Sequence, residues 1–374
     1  MKIRIGLIFG GRSGEHEISI RSAKSVIEQI DKEKYEVIPI AITREGRWLN
    51  PHESLSLLPE EIQKIFQLQL GKFNSSSIIF SPDTSHRGLI NLSENLALPI
   101  DVFFPLLHGT YGEDGTIQGL FEMADVPYVG CGVLASSCGM DKVIMKNLFQ
   151  NSGLPICRFV WFLRSEFESQ AERVIYLIKE QIGFPCFVKP ANLGSSVGVS
   201  RAADEESLKK AIELAASYDR KIIVEEALEM REIECAVLGN EDPQASLPGE
   251  YIILNPEKSF LDYTEKYAGT GNNEFVVPAP ISRELTQIIQ DMAIKAFRAI
   301  DGSGLARVDF FLRTDNGRVL VNEINTMPGL TDTSGFPKMW QASGLSLQQV
   351  IDRLIKLAFE RHQDKKRNKT SFRG

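Results

Sequence analysis

The sequence predicts an α/β protein, with a parallel-sheet N-terminal part and strand–turn–strand pairs later in the chain. Two stretches carry that expectation. Residues 3–9 alternate as a buried strand, and Gly10-Gly11-Arg12-Ser13-Gly14 makes a turn. From about Glu15 a helical period directs Ile18, Ser22, Val26 and Ile30 toward a core. Tyr35–Ile42 reads as the next strand, and a β-α-β order calls for parallel pairing. Near the other end, Leu305–Arg313 and Val319–Asn325 read as two strands around a turn containing Asp315-Asn316-Gly317.

At 374 residues the chain is long enough for two or three domains. Its 43% hydrophobic and 24% charged residues are ordinary for a soluble globular protein. A net charge of −7 without a dominant basic block argues against nucleic acid as a partner. The apolar run after Lys2 is short and ends in glycines, so a first strand is expected rather than a signal peptide. No segment approaches the about 20 apolar residues of a membrane span. The five cysteines form no Cys-x-x-Cys pair, so a disulfide framework or structural zinc is not expected and a reducing cytosol fits.

Between these ends the elements follow in order. The Gly10-Gly11 loop lacks the spacing of a dinucleotide fingerprint, so no nicotinamide site is expected. Residues 50–98 read as peripheral helix, strand and loop. Asp101–Leu107 is a strand leading into His108-Gly109-Thr110-Tyr111-Gly112-Glu113-Asp114-Gly115, before a helix over Thr116–Met123. Open α/β sheets bind ligands at such strand ends. Asp141–Asn151, Glu166–Gln181 and Glu205–Tyr218 read as helices. Val188-Lys189-Pro190 closes a short strand, and a Gly/Ser hairpin, Gly194-Ser195-Ser196-Val197-Gly198, follows it. Small residues let backbone N–H groups approach phosphates. Ile222–Leu228 reads as a strand running into a linker, with Glu225 and Glu226 near its end, and Arg231–Leu238 continues with Glu232 and Glu234. The glycine-tipped stretch within 255–278 is long enough to be a lid. Arg283–Ile300 and Ser346–Arg361 read as helices, and the tail Lys365–Lys369 is expected to be frayed and solvated.

The strand pair near the C-terminus carries three hard-oxygen side chains, Asp309, Glu323 and Asn325. Glu323 and Asn325 share a face because they are two apart. A two-residue loop at Asn316-Gly317 would turn Asp309 to the other face. A three-residue loop with a left-handed Gly317 sets Asp309 across from Glu323 and Arg307 across from Asn325, and this register is the one expected. Two carboxylates and an amide oxygen on one spot suit Mg²⁺; the alternative is a surface hairpin with solvated acids.

Taken together, these motifs resemble the ATP-grasp superfamily and, within it, the D-alanine–D-alanine ligases. The resemblance rests on Gly10-Gly11 with Glu15-His16-Glu17-Ile18-Ser19, His108-Gly109 with Gly112-Glu113-Asp114-Gly115, Met140-Asp141-Lys142, and Val188-Lys189-Pro190 with the Gly194–Gly198 hairpin. It continues through Glu265-Lys266-Tyr267, Ala306-Arg307-Val308-Asp309 and Asn322-Glu323-Ile324-Asn325-Thr326-Met327-Pro328-Gly329. Each motif alone is weak; their joint order is specific and spans roughly residues 3–360.

The resemblance implies a Rossmann-like N-terminal substrate domain (1–130), a central ATP-grasp domain (131–224) and a C-terminal one (225–374), the last two clasping ATP. It implies a cytoplasmic homodimer that uses ATP with Mg²⁺, two ions being expected and Mn²⁺ an acceptable substitute, to join two D-alanines for peptidoglycan precursors. In that reading Asp309, Glu323 and Asn325 hold the metal, Lys142, Lys189 and Ser196 serve the phosphates, and Lys266 also binds the nucleotide. Glu225, Glu226, Leu228 and Glu232 border adenine and ribose. Arg307 and the Gly329 amide face the oxyanion. Glu15 meets the first substrate's ammonium and His108 lies near its carboxylate, with Ser334 and Gly335 for the second carboxylate. Glu15, Ser195 and Tyr267 match the trio that the dipeptide ligases carry, so D-alanine rather than D-lactate is the expected acceptor. The alternatives are a D-alanine–D-lactate depsipeptide ligase and a catalytically silent nucleotide-binding module, which should have lost Arg307 or a metal ligand.

Overall fold

Apolar residues on both sides of β1 (Ile3–Gly10) make it a fully covered strand: Leu7 and Phe9 enter one core and Ile8 another. Helix α1 (His16–Gln29) carries the chain across to β2 (Tyr35–Ile42), which lies parallel to β1. The structure is a computed structural model and describes residues 2–66, 77–93, 96–98, 100–194, 196–253, 273–369 and 371. Among the described residues, 50–98 contribute the short helices α2 (Pro51–Leu55) and α3 (Glu60–Ile65) and a small antiparallel sheet. Its strands are β3 (Ile78–Phe80), β4 (Leu89–Asn91) and β5 (Leu96–Ala97). β6 (Val102–Pro105) completes a parallel β2-β1-β6 sheet, and α4 (Thr116–Met123) follows the loop that leaves its carboxyl end.

Two helices, α5 (Val133–Met140) and α6 (Lys142–Asn151), lead into the middle of the chain. Asp141 caps α6, accepting from the N–H groups of Val143 and Ile144. The next elements are β7 (Phe159–Leu163), α7 (Arg164–Gln181), β8 (Cys186–Pro190), β9 (Ser200–Ala202), α8 (Glu205–Tyr218) and β10 (Lys221–Glu226). They form a β7-β10-β8-β9 antiparallel sheet. Alternation divides its two faces. Val160, Val188, Ile222 and Val224 join α7 and α8 in a core of their own. Phe187, Lys189 and Glu225 belong to the other face, where Glu225 pairs with Phe187 and Lys189 with Ile223.

The last sheet runs β14-β13-β11-β15-β16, with β12 beside β11. Its strands are β11 (Met230–Gly239), β12 (Gln244–Ala245), β13 (Gly249–Ile253), β14 (Asn273–Val276), β15 (Gly304–Arg313) and β16 (Val319–Asn325). One face packs Ile233, Cys235, Val308, Phe310 and Ile324 against α9 (Arg283–Ala299). The opposite parity carries Glu232, Glu234, Arg307, Asp309 and Phe311, since Glu234 pairs with Asp309 and Glu232 with Phe311. Helices α10 (Gly335–Ala342) and α11 (Leu347–Lys365) share a core with the N-terminal sheet.

Two expectations require correction. The β15–β16 turn is a four-residue Thr314–Gly317 connection, with the Arg313 N–H donating to Arg318 O, rather than a three-residue loop. Gly317 is left-handed as expected, at φ +70°. Beside the turn Phe310 faces Val321, a register that alone would set Asp309 opposite Asn322. A β-bulge inserts Asn322, and Asp309 then faces Glu323 while Arg307 faces Asn325. The expected juxtaposition is present, but a bulge produces it. The basic tail also starts later than expected: Lys365 ends α11 and pairs with Glu122, while His362 lies 3.1 Å from Asp125.

All five cysteines are free. Burial pushes the Cys131 and Cys186 thiols up to about 11 and Cys235 to about 12, as for small core residues rather than nucleophiles. Among the described residues no helix is long and apolar enough to cross a membrane.

Candidate active site

The bulge aligns a row of polar side chains on one face of the C-terminal sheet. Arg307 grips Asp309 with two parallel bonds, Nε to Oδ1 at 2.7 Å and Nη2 to Oδ2 at 2.6 Å, and its Nε lies 3.3 Å from Glu234 Oε1. Glu323 Oε2 stands 3.8 Å from Lys142 Nζ. Asn325 Oδ1 accepts from the Met327 N–H at 2.8 Å, leaving a second lone pair for another partner. Among the described residues no three His, Cys, Asp or Glu side chains stand together as a metal-ligand set. The candidate set is instead two carboxylates and one amide, a hard-oxygen combination that fits Mg²⁺. Arg307 holds Asp309 here, so a cation at this wall has to draw that carboxylate away from the guanidinium.

Opposite this wall, the central sheet closes a slot of ≈ 760 Å³. Lys189, Glu225, Glu226 and Phe187 line it from the central sheet, Leu228 from the linker, and Glu232, Asp309, Phe311 and Glu323 from the C-terminal sheet. The lining fits a nucleoside triphosphate: aromatic and aliphatic walls at one part, and Lys142, Lys189 and Ser196 at another. Ser196 has a positive φ of 57° at the hairpin tip. Lys142 begins α6, and its Nζ donates to Leu193 O at 2.7 Å, tying that helix to the hairpin. Glu226 is already engaged, with Arg158 Nε donating to its Oε2 and the Arg158 N–H to its Oε1, both at 2.8 Å.

A second cavity, of ≈ 80 Å³, adjoins the slot. Glu15, Glu113, Arg307 and Asn325 line it, and it shares Lys142, Gly194, Ser196 and Glu323 with the slot. A Cβ at Gly109 would lie 3.0 Å from Glu15 Oε2, so glycine there leaves room for that carboxylate. Ser334 and Gly335 start α10 close by. A Cβ at Gly329 would lie 2.8 Å from Ser334 Oγ, and one at Gly335 2.7 Å from Glu234 Oε2. The Ser334 hydroxyl is hydrogen-bonded to Thr331 Oγ1 at 2.6 Å. Another cavity, of ≈ 1080 Å³ and lined by Asp125, Arg298, Arg353 and Arg361 among others, contains none of the candidate residues.

His108 is 4% exposed and lies beneath this region. Its Nδ1 is 3.1 Å from Met327 O and 3.6 Å from Glu113 Oε1, and its Nε2 is 3.1 Å from Ser22 Oγ. Burial pushes the imidazole down, but Glu113, the Glu15 charge and the Met327 carbonyl outweigh it, and the net shift is upward from 6.5. The stabilisation is therefore complete below the ordinary value and lost as pH rises through the raised one. A ring-proton NMR titration should find His108 still protonated above 6.5. Thermal melts of the parent should lose their margin over His108→Gln across the same interval. A titration midpoint at or below 6.5 would refute the Glu113–His108–Met327 account.

Of the expected residues that the structure describes, Lys142, Lys189, Ser196, Glu225, Glu226, Leu228, Glu232, Asp309 and Glu323 line the slot, and Glu15, Arg307 and Asn325 line the small cavity, whereas His108, Gly329, Ser334 and Gly335 line neither. Ser195, Lys266 and Tyr267 lie outside the described residues. Three participants were not anticipated from sequence: Glu113, Glu234 and the buried Lys146. Glu113 stood within the quoted motif, and Glu234 was noted only as a strand acid. Lys146 is one helical turn beyond Lys142, which was its available signal.

Comparison with known proteins bears on the family of the chain. The family profile described as "D-ala D-ala ligase N-terminus" matches residues 4–131, and "D-ala D-ala ligase C-terminus" matches residues 148–356. A D-alanine–D-alanine ligase of Heliobacterium modesticaldum is 48% identical over 372 residues, covering 99% of this chain and 98% of that one. Another, of Bacillus licheniformis, is 46% identical over 373 residues, covering 100% of both. The solved D-alanine–D-alanine ligase of Coxiella burnetii superposes with a TM-score of 0.81 at 36% identity, covering 98% of this chain and 96% of that one. The VanG D-Ala:D-Ser ligase of Enterococcus faecalis does so with a TM-score of 0.81 at 34% identity, covering 96% and 100%. Matched from end to end in sequence and fold, and carrying Arg307, Asp309, Glu323 and Asn325 on one face, this chain belongs to the D-alanine–D-alanine ligase family.

Proposed function

We propose that the protein joins two D-alanines into D-alanyl-D-alanine at the expense of ATP. The observation that carries this reading is the contact between the two cavities. A slot suited to a nucleotide and a small cavity suited to an amino acid share Lys142, Gly194, Ser196 and Glu323. A γ-phosphate and an amino-acid carboxylate can meet at that shared boundary.

In the first step a carboxylate oxygen of D-alanine attacks the γ-phosphorus, the bridging β–γ P–O bond breaks, and ADP leaves with its electron pair. The amine of the second D-alanine, deprotonated to solvent, then attacks the carbonyl carbon of D-alanyl phosphate. The C–O bond to phosphate breaks, phosphate leaves, and the nitrogen gives up its second proton as the amide forms. Such chemistry depends mostly on positioning and charge neutralisation. Lys142, Lys189 and Ser196 hold the phosphates, and Lys266 is a further nucleotide-binding residue. Glu232 meets the ribose, while Leu228 and the strand end at Glu225-Glu226 border adenine. Glu15 receives the first ammonium, with His108 supporting the adjacent carboxylate subsite; Ser334 and Gly335 receive the second carboxylate. Arg307 and the Gly329 N–H stabilise the oxyanion. Magnesium held by Asp309, Glu323 and Asn325 neutralises phosphate charge when bound. Ser195 and Tyr267 with Glu15 select an amine acceptor.

The remaining expectations belong to this proposal: a cytoplasmic homodimer, peptidoglycan precursor synthesis, two magnesium ions replaceable by Mn²⁺, and a division near residues 130 and 224. Phosphate release from ATP tests the activity, with D-alanine supplied alone and with D-lactate or D-serine. D-Serine is included because one of the similar solved structures is a D-Ala:D-Ser ligase. D-Alanine alone should stimulate release and yield dipeptide; no stimulation sinks the reading. A mainly depsipeptide or D-Ala-D-Ser product in the paired assays instead reassigns the acceptor.

A further inference from the structure

Lys146 is 1% exposed, and its ammonium lies where three parts of the site meet. Its Nζ is 3.0 Å from Glu225 Oε1, donates to Asn322 O at 3.1 Å, and lies 3.5 Å from Cys157 Sγ. Asn322 is the inserted residue of the bulge that sets Glu323 across from Asp309. The other oxygen of Glu225, Oε2, accepts from Lys189 Nζ at 2.6 Å. Glu225 is 2% exposed, whereas Lys189 and Glu225 both border the nucleotide slot. Lys146 does not border it.

Counting charges gives two ammonium groups to one carboxylate. Burial pushes the Glu225 carboxyl up, but Lys146 and Lys189 overcome this and hold it down at about 2, so the carboxylate stays ionised. The cluster therefore carries a net positive charge in a desolvated place, where an uncompensated charge is costly. Its opening to the slot is at Lys189, and an anion there completes the balance. With Lys146 present, Lys189 can turn toward an anion without leaving Glu225 unpaired. Without Lys146, Lys189 is the carboxylate's remaining cation, and the pair is neutral before any ligand arrives.

We propose that Lys146 is a positioning residue for nucleotide binding: by neutralising Glu225 it releases the Lys189 charge to the phosphates, and it fixes the bulge that carries Glu323. This rests on the reading of the slot as a nucleotide site. It differs from a purely structural brace in what the phosphates contribute to affinity.

The experiment measures ADP and adenosine affinity by calorimetry for the wild type, Lys146→Gln, Lys146→Met and Lys146→Met/Glu225→Gln, with folding checked by melts. Both single variants should lose about tenfold to a hundredfold in ADP affinity, the scale of one charge-assisted contact. Adenosine affinity should change by less than about threefold, within the scatter of surface effects. The double variant, in which Lys189 is no longer held by a carboxylate, should bind ADP more tightly than Lys146→Met does. Equal losses for ADP and adenosine, a double variant no better than the single, or ADP binding unchanged in Lys146→Gln overturn the proposal. So does a Lys146→Gln that does not fold, which would assign the residue to the structure alone. A wild type that fails to bind ADP overturns the nucleotide reading itself, a result distinguishable from each of these.

Discussion

Replacing Arg307 with glutamine should lower kcat about 10²–10³-fold, the cost typical of removing one oxyanion donor. The same variant should bind divalent cation more tightly in the absence of nucleotide. The two effects have one origin. The guanidinium takes both oxygens of Asp309, at 2.7 and 2.6 Å, and also approaches Glu234. A bidentate charged pair of this kind competes directly with a metal for the same lone pairs. Under the proposed function, a cation taken up by Asp309 and Glu323 would leave Arg307 to face the developing oxyanion beside Gly329. Glutamine cannot hold Asp309 in the same way, so the proposed metal site would lose its internal competitor while the proposed reaction would lose its cation. Steady-state kinetics paired with Mn²⁺ titration followed by electron paramagnetic resonance distinguish the outcomes. Weaker Mn²⁺ binding together with near-normal turnover would sink the account, because Arg307 would then be supporting the ligand set rather than competing with it.

How far this site could be read from sequence depended on the kind of interaction. Periodicity sufficed for β1, α8 and β11, whose alternation or helical spacing reports burial directly. It also sufficed to put Glu323 and Asn325 on one face. It could not yield the route to Asp309, because a bulge adds one residue to one strand without a distinctive local pattern. The expected three-residue turn was one way to obtain the right pairing; the chain uses a four-residue turn and inserts Asn322 instead. Residue roles came mainly from the family resemblance, and it was silent on charge partners. Glu225 was expected beside adenine, yet its carboxylate is shared between Lys146 and Lys189. A lysine inside a helix reads as solvent-facing unless its partners are known, and those partners are 79 and 176 positions away for Glu225 and Asn322. The extended basic tail was misjudged for a similar reason, since Glu122 and Asp125 supply its counter-charges from a distant segment.

The two faces of the C-terminal sheet should separate stability from catalysis, and Phe297→Ala tests this from the face opposite Arg307. Phe297 is fully buried on α9, in the core that holds Val308, Phe310 and Ile324 behind Asp309 and Glu323. Truncating such a ring removes about 3–5 kcal/mol, transfer and cavity costs together. The melting midpoint should then fall by roughly ten degrees. The loss should not be recoverable by filling the space from Gly302. A Cβ there would lie 2.6 Å from the Phe297 ring, which the mutation removes, but also 2.7 Å from the Phe297 carbonyl oxygen, which it leaves. Phe297→Ala/Gly302→Ala should therefore be less stable than Phe297→Ala. Turnover per folded molecule, assayed well below the new midpoint, should stay within about threefold of the parent, since Phe297 borders neither cavity. Arg307→Gln should lose far more turnover per folded molecule than Phe297→Ala does, over and above any fall in midpoint from leaving the buried Asp309 and Glu234 carboxylates without their guanidinium. If Phe297→Ala loses turnover in proportion to stability, the apolar layer also sets the Asp309–Glu323 geometry, and the division of labour between the faces fails.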